Sequence, residues 1–168
     1  MDRLAQMISN RLSLRPPQKR SLEILNELVE RLELKKVVDL SGEFEKVNNL
    51  YPICSDFERD FPSVCFALAT GVGKTRLMGA FVAYLHLAKG IKNFFVLAPN
   101  LTIYNKLIED FSNPNHPKYV FKGIGEFAQN QPRMITGDNY LQTSQMTLFH
   151  SEVNINVFNI SKINAETR

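Results

Sequence analysis

The spacing of apolar residues changes along the chain, and each change marks an element. Leu22, Leu25, Leu28, Val29 and Leu32 recur at helical spacing with Glu and Arg on the other face, so the first 35 residues read as helical, with Pro16 and Pro17 marking the start. Residues 35–60 lose that pattern around Gly42, Asn48, Asn49 and Pro52, which predicts a connector with one short helix. Residues 63–69 (SVCFALA) are a short run of β-branched, aromatic and apolar side chains, followed by glycines and an apolar helical pattern over 74–88. That is strand, loop, helix. Residues 93–98 (NFFVLA) form a second unbroken apolar run, after which Leu101, Tyr104, Leu107, Ile108 and Phe111 repeat at helical spacing. Further short strands are expected at 119–124, 133–136 and 153–160, and 139–152 reads as a helix or a hairpin. Strands apolar on both faces, alternating with helices, predict an α/β fold with a parallel sheet flanked by helices on both sides.

Composition narrows this little. The chain has 168 residues, 44% of them hydrophobic, enough for one globular domain with a core. A net charge of +3 suits a polyanionic partner without demanding one. Cys54 and Cys65 match neither zinc nor redox spacing and are expected to be free thiols. His86, His116 and His150 share no metal-ligand spacing. The amino terminus lacks the apolar core of a signal peptide, and no stretch approaches the ~18 apolar residues of a membrane span, so a cytoplasmic protein with no membrane association is expected.

Candidate chemistry concentrates at 70–75, the sequence TGVGKT between the expected strand and helix. A triphosphate gathers several negative charges in a few ångströms, and a loop that holds it must present inward N–H groups with no side chains in the way. Gly71 and Gly73 meet that need. Lys74 can place its ammonium between the β- and γ-phosphates, and Thr75 offers a hard oxygen to Mg2+. The expected binding set for ATP with Mg2+ is therefore Thr70, Gly71, Val72, Gly73, Lys74, Thr75 and Arg76, with Lys74 and Thr75 closest to the chemistry. The G-x-x-x-x-G-K-[ST] pattern has Leu68 at its first position here, and a chance G-x-G-K-T in an ordinary turn is the plain alternative.

LATGVGKT followed about twenty residues on by FFVLAPNLTIYNKL resembles motifs I and Ia of superfamily 2 helicases, and more narrowly the Res subunits of type III restriction enzymes. LRPPQKRSLEIL resembles that family's Q-motif region, which implies that Gln18 reads the adenine edge. The resemblance implies a RecA-like P-loop domain over 63–168, incomplete and ending before a DEAH-type box, preceded by a helical region over 1–62. It also implies contacts to a nucleic-acid backbone from Pro99, Asn100 and Thr102, where Asn100 or Thr102 can equally cap the next helix. Thr136, Gly137, Ser161 and Lys162 are further phosphate-contact candidates, with a plain surface role as the alternative. Double-stranded DNA and a methyltransferase (modification) subunit are the implied partners. No D-E-x-H sequence occurs, and Asp110 and Asp138 do not end apolar strands, so this stretch is expected to bind ATP without hydrolysing it and to leave a sheet edge poorly covered. The rival readings are an unrelated P-loop ATPase or kinase, and a nucleotide-binding module that regulates a partner without turnover.

Overall fold

Asp2 starts the first helix, its carboxylate accepting from the Ala5 N–H at 2.6 Å. That helix, α1 (Arg3–Arg11), buries Ala5 and Ile8 on one face. Pro16 and Pro17 then occupy the first positions of α2 (Pro16–Val29), where a missing N–H costs nothing. The prolines do mark a helix start, and a separate helix precedes them. In the computed structural model, residues 1–35, 38–140 and 153–160 are described.

The expected short helix in the connector is α3 (Leu40–Leu50), which forms a small satellite core through Val47, Leu28 and Phe57. Next come α4 (Lys74–Lys89), β1 (Asn93–Ala98), α5 (Leu101–Ser112), α6 (Gly125–Gln129), β2 (Arg133–Thr136) and β3 (Asn154–Asn159). The sheet order is β1-β3-β2, and both pairings are parallel, with Val96 opposite Val157 and Met134 opposite Ile155. Among the described residues this is an α/β fold with a three-stranded parallel sheet flanked by helices. Val96, Ala98, Ile155 and Val157 point into a core shared with Tyr84 of α4, Phe111 of α5 and Ala5, Ile8 and Leu22 of the amino-terminal helices. The core thus runs across the boundary expected at residue 62.

Three expectations need correction. Residues 63–69 form no strand. A strand needs a ladder partner, and among the described residues the three strands of the sheet pair only with one another. The segment packs by side chains instead. The Phe66 ring lies 4.9 Å from that of Phe81 on α4, and residues 64–68 line an apolar cavity of about 400 Å³ with Ile24, Leu28 and Val47. Residues 119–124 are also not a strand but a buried turn, in which Ile124 N–H donates to Phe121 at 3.0 Å and Gly123 takes φ +86°. Their apolar character reflects burial, since Tyr119, Val120, Phe121 and Ile124 all lie in the core. Finally, β1 leaves Phe95 61% and Leu97 47% exposed, so among the described residues burial of the sheet by helices is met on one face only. The stretch 139–152 lies outside the described residues from 141 onward.

Candidate functional site

Because the strands are parallel, the segments leaving β1 and β2 emerge at one end of the sheet. Pro99, Asn100 and Thr102 leave β1 there, all exposed, and Asn100 Oδ1 caps α5 by accepting from Ile103 N–H at 2.9 Å. Thr136 and Gly137 leave β2 at the same end, in a turn where Asn139 Oδ1 accepts from Thr136 N–H at 2.7 Å. Ser161 and Lys162 lie outside the described residues. Residues 90–92 alone join α4 to β1, so the start of α4 lies a helix length, about 24 Å, from the start of β1.

That start is the loop at 70–75. Gly73 caps α4 at φ +92° and Gly71 takes φ +82°, both in the left-handed region that glycine tolerates. No atom lies within 4 Å of where a Gly71 Cβ would stand, so the loop is open on that side, next to the positive end of a 16-residue helix. Lys74 is exposed, and its ammonium donates one hydrogen bond across the loop to the Ala69 carbonyl at 3.2 Å. Thr75 is half-buried in the first turn, Val72 is half-buried and Thr70 is exposed. Open glycine backbone, an adjacent ammonium and a hydroxyl on the first turn are a donor set that fits a Mg2+-bound triphosphate. Among the described residues no group of His, Cys, Asp or Glu is placed to hold a metal by itself.

The other expected site residues divide. Arg76 is turned away from the loop, its Nη1 donating to the Leu12 carbonyl at 3.1 Å, which fastens the first turn of α4 to the end of α1. Gln18 is 2% exposed and directly joined to the loop, Nε2 donating to the Gly73 carbonyl at 2.8 Å. Its Oε1 accepts from the Arg15 N–H at 2.8 Å, one half of a capping box that starts α2. Arg15 itself escaped the sequence reading, yet its Nη1 reaches the Gly71 carbonyl at 3.4 Å. The available signal was its position three residues before Gln18, the capping-box spacing. Asp110 is buried, its carboxylate 3.2 Å from His116 Nδ1, and Asp138 is exposed after β2.

A parallel α/β sheet flanked by helices, one of them opened by a two-glycine G-x-G-K-T loop, is the architecture of a RecA-like domain. More narrowly, the chain belongs to the type III restriction enzyme Res subunit family, whose model matches residues 11–168. It is similar to the probable type III restriction-modification enzyme HindVIP Res subunit of Haemophilus influenzae, at 33% identity over 70 residues, 38% of this chain and 13% of that protein. The chain thus matches about an eighth of that relative's length. No solved structure matches. Among the described residues no helix is long and apolar enough to cross a membrane.

Proposed function

We propose that this chain is the ATP-binding front portion of an ATP-dependent DNA helicase or translocase, the Res subunit of a type III restriction endonuclease. The observation that carries this reading is the loop at 70–75, with two left-handed glycines, an open side at Gly71 and an exposed Lys74 at the start of α4. In this reading Lys74 and the N–H groups of Gly71, Val72 and Gly73 hold the β- and γ-phosphates, and Thr75 gives its hydroxyl to Mg2+. Pro99, Asn100, Thr102, Thr136 and Gly137, at one end of the sheet, meet the backbone of double-stranded DNA, and Ser161 and Lys162 join them. Residues 1–62 are the helical layer that supports the loop, and 63–168 the first RecA-like unit. A modification subunit is the protein partner, in the cytoplasm.

The test is the ATPase of a full-length Res subunit containing this sequence, with and without duplex DNA. Turnover that rises with duplex DNA and vanishes in Lys74→Ala supports the reading. Lys74-dependent turnover indifferent to DNA would assign the chain to another class of P-loop ATPase.

A further inference from the structure

Two carbonyls of the phosphate loop are held from outside it. Gln18 Nε2 donates to the Gly73 carbonyl at 2.8 Å from the first turn of α2, and Arg15 Nη1 to the Gly71 carbonyl at 3.4 Å from the N-cap before it. A trans peptide is planar, so its C=O and N–H point in opposite directions. Holding the Gly73 carbonyl therefore aims the Lys74 N–H, and holding the Gly71 carbonyl aims the Val72 N–H. The Gly73 carbonyl also accepts from Leu77 N–H at 3.2 Å, the first bond of α4, so Gln18 ties the loop, the helix start and α2 into one unit.

The brace is anchored further along. Asn26, two turns down α2, donates to the Tyr84 hydroxyl on α4 at 2.7 Å and to the Asp2 carboxylate at 3.1 Å. Arg76 fixes the first turn of α4 to the end of α1. The loop is thus set against a layer fastened to α4 at both ends. To read a base, an amide must offer a donor and an acceptor to the base edge. The Gln18 oxygen accepts from Arg15 and one of its two N–H groups donates to Gly73, and at 2% exposure the remaining lone pair and N–H are shut off from a base edge.

We propose that Gln18 is a positioning residue of the phosphate loop that acts without regard to the base: it orients the Lys74 N–H through the Gly73 carbonyl and so serves every triphosphate equally. This rests on the phosphate-loop reading above. Gln18→Met tests the bond, because it is of similar length, loses the donor to Gly73 and adds no charge beside the phosphates. Affinities of the folded variant are measured by calorimetry for ATP, GTP and inorganic tripolyphosphate, each with Mg2+. Tripolyphosphate carries no base. The expected result is a loss of about three- to tenfold for all three ligands alike, the range of one neutral hydrogen bond. A loss confined to ATP makes Gln18 an adenine reader and overturns the proposal, and so does unchanged affinity for all three. Gln18→Leu, also uncharged and without the donor to Gly73, is read on the same ligands if Gln18→Met fails to fold. Lys74→Ala is measured beside them, and unchanged affinity there sinks the phosphate-loop reading itself, whatever Gln18 does.

Discussion

The Tyr84 hydroxyl of α4 donates to the Asp2 carboxylate at 2.9 Å while accepting from Asn26 at 2.7 Å, so a fully buried phenol joins three helices. Burial first, and then the bond to Asp2, push the Tyr84 hydroxyl up to about 12 from 10.0. The folded state therefore holds that proton more tightly than the unfolded chain does. The resulting stability is present below about pH 10 and is lost as pH rises through about 12. Tyr84→Phe removes one donor and one acceptor and leaves Asn26 and Asp2 bonded to each other but not to α4, at a cost of about 1–3 kcal/mol near neutrality. Denaturant titrations of both proteins from neutral pH to pH 11 should show the gap between them narrowing at the alkaline end. A gap that stays constant would show that the hydroxyl is not the titrating link.

Lys74 carries the main electrostatic contact expected with a triphosphate. Its removal should cost about 1.5–3 kcal/mol of ATP affinity, roughly ten- to a hundredfold, as for a hydrogen bond to a charged group. Calorimetry on folded Lys74→Ala is the check. Unchanged affinity would mean that the loop is an ordinary turn.

The two loop glycines should differ in stability when substituted. At Gly71 an added Cβ meets open space, so Gly71→Ala carries only the left-handed strain at φ +82°, about 1 kcal/mol. At Gly73 the strain at φ +92° is joined by a Cβ placed 2.7 Å from Gln18 Nε2, which must move off the Gly73 carbonyl. Losing that bond adds roughly 1 kcal/mol. Thermal melts without nucleotide should show Gly73→Ala lowering Tm by about 4–8 °C, against about 2–4 °C for Gly71→Ala. Equal shifts would show that Gln18 does not hold the loop in solution.

Local pattern carried much of this fold into view. β1 spans the expected residues, α4 and α5 follow their apolar spacing, and Pro16 and Pro17 open α2 where proline belongs. The failures share a cause. Residues 63–69 and 119–124 have the composition of buried strands, yet only 119–124 is largely buried, and a strand also requires pairing with a neighbouring chain, which local composition does not state. In the candidate site, G-x-G-K-T located the loop. The chain-distant partners were hidden, because nothing near Gln18 states that its amide lies against a glycine 55 residues away. Arg76 follows Thr75 in sequence, and its Nη1 bond to the Leu12 carbonyl is likewise a chain-distant contact that adjacency to the loop does not announce.

The 168-residue chain by itself should bind ATP and turn it over no faster than background. Hydrolysis needs a carboxylate that orients an attacking water beside Mg2+ and positive charge on the γ-phosphate as the leaving bond breaks. The loop offers Lys74 and backbone N–H groups for binding, which hold ground state and transition state alike. The sequence contains no D-E-x-H. Of the two carboxylates weighed for the task, Asp110 is 2% exposed and turned to His116, and Asp138 sits in the turn after β2. Neither follows an apolar strand in the manner of a water-positioning acid. Without that carboxylate and a further cation, rates fall by roughly 10³ to 10⁵. A steady-state ATPase assay on the purified chain, with Lys74→Ala as the control for contaminating enzymes, should give equal and negligible rates for both proteins. Calorimetry on the same samples should still separate them by affinity. Lys74-dependent turnover of about one per second, within the ordinary range for phosphoryl transfer, would show that the chain holds a water-positioning group not recognised above.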